Sequence, residues 1–273
     1  MMLALAIVIE TMTVPSAHAA VVRLAVASNF AAPLKALIAD YRTRATQGDS
    51  ATTLAPDLRV SLGSTGQLFA QIAQGAPFDV YLAADQARPA QAVRDGHAIA
   101  GTTFTYAIGR LVLIQRGRAD AAAARADADQ GSDSVARLKH ALTDEPAQRL
   151  AIANPRTAPY GAAALEALTQ LGLVATYRPR LVFGQNVMQA FQFAMTGSMD
   201  AAIVARATVV AFPPGDVWQE TDVPRTLHAP IAQDAVLLTR AADNDAARRF
   251  LSYLASPDAR RVIARAGFDL PET

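Results

Sequence analysis

The chain has no cysteine, a single tryptophan and only four histidines among 273 residues. Without thiols there is neither a disulfide framework nor a thiolate metal site, and that absence selects no compartment. His97, His140 and His228 are widely scattered and form no H-x-x-H or H-E-x-x-H spacing, which argues against a zinc centre. Charge of one sign is missing as well: 25 basic residues face 24 acidic ones, for a formal net charge of +1. A nucleic-acid binder needs a concentrated basic face, so that class of partner is set aside. There is no G-x-S-x-G elbow, and scattered Ser, His and Asp do not make a triad. No apolar run is long enough for a membrane span. What remains is a globular, Ala-rich composition, 52% hydrophobic and 18% charged, in a chain long enough for one large or two small domains.

The N-terminus has its own character. Leu3 to Ile9 is a short apolar run, followed by a polar stretch, Pro15, and Ala17-His18-Ala19. An apolar core with a small-x-small site reads as a signal peptide over residues 1–19, although Met1-Met2 stand where a basic segment is usual. Its removal leaves 25 basic and 23 acidic residues, since Glu10 is the only charge lost. A periplasmic location follows as the expectation, without a lipid anchor, because no lipobox Cys is present.

Downstream, short β-like runs alternate with helical periodicity. Val21 to Ala27, Leu58 to Leu62 and Phe78 to Ala83 read as strands. Pro33 to Arg42 reads as a helix through Leu34, Leu37, Ile38 and Tyr41, and Leu68 to Gln74 as a short one. The alternation resumes with strands at 149–153, 180–183 and 201–204 and helices at 161–171 and 187–195. This predicts α/β architecture with mainly parallel sheets and helices on both faces. It predicts two lobes, residues 20–107 with 231–273 and residues 108–230. Ile108–Ile114 and Ile231–Leu238 are the expected crossings, and the helices at 246–266 return to lobe one. Ala119 to Asp133 is a low-complexity surface excursion.

Chemistry gathers where strands meet helices. Ser28-Asn29 follow the first strand, and Gly63-Ser64-Thr65-Gly66 the second. Asn154 to Gly161 and Gly184-Gln185-Asn186-Val187 precede two later helices. In an open α/β sheet such junctions lie at the carboxyl ends of the strands, where ligands bind. Helix starts offer unpaired N–H groups and a positive dipole end, so they hold anions without a basic side chain. Hydroxyls of Ser28, Ser64 or Thr65, the Asn29 amide and the Tyr160 phenol add donors. Ser, Thr, Asn and Gly are equally the favoured N-caps, and pattern alone leaves the four junctions open between simple caps and a shared anion site.

At these same residues the chain resembles the periplasmic molybdate-binding proteins of ABC importers. The likeness runs from Val21 to about Phe268. It is carried by Ala25 to Phe30, Gly63 to Ile72, Gly75 to Asp85, Asn154-Pro155 with Ala158-Pro159-Tyr160-Gly161, and Gly184 to Val187. The resemblance implies a two-lobed type II periplasmic-binding fold with the ligand in the cleft. In one branch the oxyanion positions correspond to Ser28, Asn29, Thr65, Tyr160 and Val187, the last through its backbone N–H, with Ser64 adjacent. The second junction departs from the common Gly-Ser-Ser-Gly by Thr65, and Gln185 stands where Glu is common. Ala205 occupies the place of the binding Tyr of the other branch.

The resulting expectation is a monomeric binding protein, not an enzyme. It takes molybdate or tungstate as an intact oxyanion with no cation ligands and no cofactor, and its partners are the membrane subunits of an ABC permease. Sulfate or a small organic anion is the alternative ligand. Asp79 and Asp85 are expected in capping and hinge roles, Arg156 as a solvated loop residue able to steer anions, and Trp218 as a packing residue in a loop.

Overall fold

A computed structural model of the chain describes residues 20–47, 55–117, 134–144, 146–215 and 217–272. The expected leader and the stretch 119–133 lie outside these residues. The first part of the chain forms β1 (Val21–Ala27), α1 (Ala31–Gln47), β2 (Asp57–Gly63), α2 (Thr65–Ala73), β3 (Val80–Leu82), α3 (Ala87–Arg94) and β4 (Phe104–Gly109). The middle part begins with β5 (Leu111–Arg116), α4 (Ser134–Thr143), β6 (Leu150–Ala153), α5 (Pro159–Gln170) and α6 (Val174–Tyr177). It continues with β7 (Leu181–Gly184), α7 (Val187–Met195), β8 (Ala201–Ala205), α8 (Arg206–Ala211) and β9 (Trp218–Asp222). The chain then returns through β10 (Ile231–Leu237), α9 (Asp245–Leu254) and α10 (Pro257–Arg265).

Two five-stranded sheets result, ordered β2-β1-β3-β10-β4 and β7-β6-β8-β5-β9, one in each lobe of a two-lobed α/β fold. The parallel pairing expected from the alternation occupies one half of each sheet: β1 with β2 and β3, and β6 with β7 and β8. The other half is antiparallel, through β10 and β5. The reason is topological. Parallel neighbours need a crossover helix, whereas β5 and β10 enter their sheets straight from the other lobe.

The run read as one crossing strand, 108–114, is two strands separated by Arg110. Ile108 exchanges both backbone hydrogen bonds with Asp269, at 2.8 and 3.0 Å, and so stays with the first sheet. The change of sheet therefore falls two residues beyond the boundary expected at 107–108. β10 lies wholly in the first sheet.

The inner strands β1 and β8 are covered on both faces, which explains why they (VVRLAVA and AAIVA) read as apolar runs without alternation, whereas the edge strand β2 is largely exposed. Phe30, Leu34, Phe250 and Ile263 share a core with Leu24 of β1, so α9 and α10 pack back on the first sheet. Ser256 Oγ accepts from the Ala259 N–H at 3.2 Å and Pro257 opens the next helix, which accounts for the break between α9 and α10. Trp218 is buried as expected, but at the start of β9 instead of in a loop, with the Arg116 guanidinium 5.6 Å from its ring centroid.

Candidate functional site

The four junctions converge. Ser28 and Asn29 begin a 3-10 turn at the carboxyl end of β1 that runs on into α1. Ser64 is the N-cap of α2 and Thr65 its first residue. Pro159 opens α5, where its missing N–H costs nothing, and Tyr160 follows. Asn186 caps α7 by accepting the Gln189 N–H at 3.0 Å, which leaves Val187 as the first helical residue. Ser28, Asn29, Ser64, Thr65, Tyr160 and Val187 all line one small pocket of about 190 Å³ including its mouth. Among the described residues no charged side chain lines it. Three helix starts and six polar side chains, Asn186 included, therefore line a space of positive potential with no charged side chain among the described residues. Helix starts and neutral donors of this kind are chemically suited to an anion.

The hydrogen-bond debts of these donors differ. Ser64 Oγ is buried and makes no hydrogen bond of ordinary length among the described residues, although it faces the Gln67 N–H in a capping box at the start of α2. The Ser64 backbone N–H donates to Gln67 Oε1 at 3.4 Å. A buried, unpaired hydroxyl costs about 1–3 kcal/mol, a debt that an oxyanion in the pocket cancels. Thr65 Oγ1 already accepts the Ala84 N–H at 2.9 Å, so its own proton remains to be given. Tyr160 Oη accepts from Gln233 Nε2 at 3.0 Å and from Asn29 Nδ2 at 3.4 Å, and it donates to no acceptor among the described residues. Burial raises its pKa above the usual tyrosine value, which keeps it a neutral donor. The Asn29 amide is spent on Gln233 Oε1, at 2.9 Å, and on Tyr160, at 3.4 Å, so its side chain braces the site.

Contacts across the cleft tie the lobes together. The Gly66 N–H donates to the Thr157 carbonyl at 2.9 Å, joining α2 to the loop before α5. Tyr160 reaches from the second lobe to Asn29 in the first. It fits there because Gly109 lacks a side chain: a Cβ at that position would stand 2.2 Å from Tyr160 Oη.

Other residues singled out in the sequence fall outside the pocket. Asp79 Oδ2 accepts the Arg23 N–H at 2.7 Å, and Asp85 Oδ1 accepts the Arg88 N–H at 2.8 Å at the start of α3. Arg156 lies on a second cavity beside the site, with Asp85, Arg88 and Glu166. Among the described residues no group of three His, Asp or Glu is placed to hold a metal ion. One residue of the constellation escaped the sequence reading. Gln233 is fully buried in β10 and bonds Asn29, Tyr160 and Tyr106. The available signal was the Gln-Asp pair inside the otherwise apolar run IAQDAVL.

Comparison with known proteins gives a consistent result. Residues 22–269 match the family described as bacterial extracellular solute-binding protein. The molybdate-binding protein ModA of Rhodobacter capsulatus is 40% identical over 244 residues, covering 89% of this chain and 86% of that protein. The ModA of Azotobacter vinelandii is 39% identical over 260 residues, 93% and 92% of the two chains. Among solved structures, the periplasmic molybdate-binding protein of Azotobacter vinelandii superposes with a TM-score of 0.75 at 30% identity, covering 92% of this chain and all of that one.

Proposed function

This chain belongs to the bacterial extracellular solute-binding proteins and, among them, to the molybdate-binding group, and from that premise we propose that it captures molybdate between its lobes for an ABC-type importer. The observation that carries the reading is the pocket itself: six predicted residues from four strand–helix junctions, all neutral, with the Ser64 hydroxyl buried and without a hydrogen bond of ordinary length among the described residues. Ser28, Ser64 and Thr65 donate from the first lobe. Tyr160 and the Val187 N–H donate from the second, and Asn29 braces the Tyr160 phenol. A hydrogen bond to a charged partner contributes about 1.5–3 kcal/mol, so several fixed donors offset the dehydration of a dianion. Donors fixed in position also discriminate by size, because a smaller oxyanion cannot meet both lobes at once.

Tungstate, alike in charge and shape, is held by the same groups. No cofactor enters this scheme, and no bond of the ligand breaks. Because the donors come from both lobes, the anion favours the closed arrangement, and the closed form docks on the permease. We further propose that the protein acts as a monomer in the periplasm after loss of residues 1–19.

Calorimetric titration of dialysed protein with molybdate, tungstate and sulfate tests the reading. Tight 1:1 binding of the first two with little sulfate heat is expected. Equal binding of sulfate would leave an oxyanion protein of another specificity, and no binding to folded, ligand-free protein would reduce the donors to helix caps.

A further inference from the structure

Gln233 lies in the middle of a strand buried on both sides, where its amide must find partners for two donors and an acceptor. Its Oε1 accepts from Asn29 Nδ2 at 2.9 Å and stands 3.2 Å from the Tyr106 hydroxyl. Its Nε2 donates to Tyr160 Oη at 3.0 Å. One side chain thus links an oxyanion junction of the first lobe to one of the second. The local backbone serves this arrangement. Gln233 pairs with Ala107 and Asp234 with Thr105, so Tyr106 is an extra residue on β4. A bulge of this kind re-aims side chains, and here it lets Tyr106 reach the Gln233 amide.

The network has a direction. Tyr160 Oη accepts from two N–H donors, so its single proton is left to point away from both, toward the pocket that Tyr160 lines. Were the residue at 233 an acceptor alone, the phenol would turn its proton inward. Were it apolar, the phenol and the Asn29 amide would satisfy each other and lose their fixed orientation.

We propose that Gln233 is a positioning residue for oxyanion capture: it never touches the anion, but sets the direction of the Asn29–Tyr160 hydrogen bonds so that donors of both lobes face one point. The proposal rests on the molybdate reading above. Its test is a double-mutant cycle with Gln233→Met, which keeps the side-chain length, and Tyr160→Phe, read by calorimetric titration with molybdate and with sulfate. Wild-type protein serves as the control, and melting of each ligand-free protein is followed. Q233M is expected to lose on the order of tenfold in molybdate affinity and to narrow the molybdate-to-sulfate ratio. Combined with Y160F it should add little, because both changes remove the same oriented phenol. A purely structural residue would lower both affinities alike and add fully to Y160F, and that result overturns the proposal, as does unchanged affinity in Q233M. Should Q233M fail to fold, Gln233→Asn, whose amide is one methylene too short to span Asn29 and Tyr160, carries the same expectation. If the wild type binds no molybdate, the functional reading falls and this inference falls with it. If the wild type binds and the cycle is additive, only the role of Gln233 is lost.

Discussion

The two lobes supply different kinds of donor to one pocket. The first gives short hydroxyls, Ser28, Ser64 and Thr65, at the ends of β1 and β2. The second gives the starts of α5 and α7, where Pro159 and the Asn186 cap fix the first turn, together with one long phenol that crosses the cleft. Hydroxyl donors disappear with a single substitution. Backbone donors do not, since helix geometry holds them whatever the side chain. The first lobe also opens α2 at the pocket, but its three hydroxyls make it the more adjustable half of the site and the second the more rigid, with Tyr160 as the adjustable group on the rigid side.

The sharpest way to break the comparison is to push Tyr160 away without touching it. In Gly109→Ala the new Cβ would meet Tyr160 Oη at 2.2 Å and Gln233 Nε2 at 2.9 Å. Molybdate affinity is expected to fall at least about a hundredfold, roughly 2.7 kcal/mol, in calorimetric titration. Retained affinity would mean that binding does not depend on where the phenol sits.

Within the first lobe, Ser64 and Thr65 should part company. Ser64→Ala removes a hydroxyl that makes no hydrogen bond of ordinary length among the described residues, so molybdate affinity should drop about tenfold or more while the ligand-free protein loses less stability than the Thr65 variant. Thr65→Val strands the Ala84 N–H as well and should lower both affinity and ligand-free stability, the latter by about 1–3 kcal/mol. Denaturant unfolding of the two ligand-free variants decides it. Equal destabilisation would contradict the difference in hydrogen-bond debts.

That asymmetry was only half legible in the sequence. Small hydrogen-bonding residues before helical periodicity point to the junctions, and strand–helix alternation places them at one end of a sheet. The spacing of Val187 to Met195 matches α7 residue for residue. What pattern could not supply was where each donor spends its bonds. Asn29 reads as a ligand donor, yet its amide turns to Gln233 and Tyr160, because a residue more than 200 positions away arrives beside it on β10. Gln233 itself was hidden by its surroundings, a polar side chain in a strand that apolar content alone identifies. α3 (ARPAQAVR) and β9 (WQETD) escaped for the opposite reason: few apolar side chains mark their buried faces.

A smaller effect separates side chain from backbone in the second lobe. Val187→Ala leaves the α7 N-terminus and its Asn186 cap in place, so affinity should change less than about threefold, under 0.7 kcal/mol. Losing much more in the titration would mean that the valine side chain, and not its N–H, shapes the pocket.

The smallest expected effect is that of pH, and its flatness is informative. Among the described residues, none that lines the pocket carries a carboxylate, imidazole or amine. The one titratable donor, Tyr160, has its pKa raised by burial from the ordinary 10.0, so the neutral phenol persists as pH climbs through that value. The sign follows directly: protonated Tyr160 binds, ionised Tyr160 repels the oxyanion, and the bound dianion disfavours ionisation further. Molybdate affinity should thus be constant from about pH 6 to about pH 9 and weaken only beyond the usual tyrosine range. Titrations across that span would expose a different site if they showed a transition near pH 6.5, where an ordinary histidine loses its proton. A charged imidazole would then be supplying attraction that the neutral hydroxyls and the helix starts of the two lobes are here held to supply.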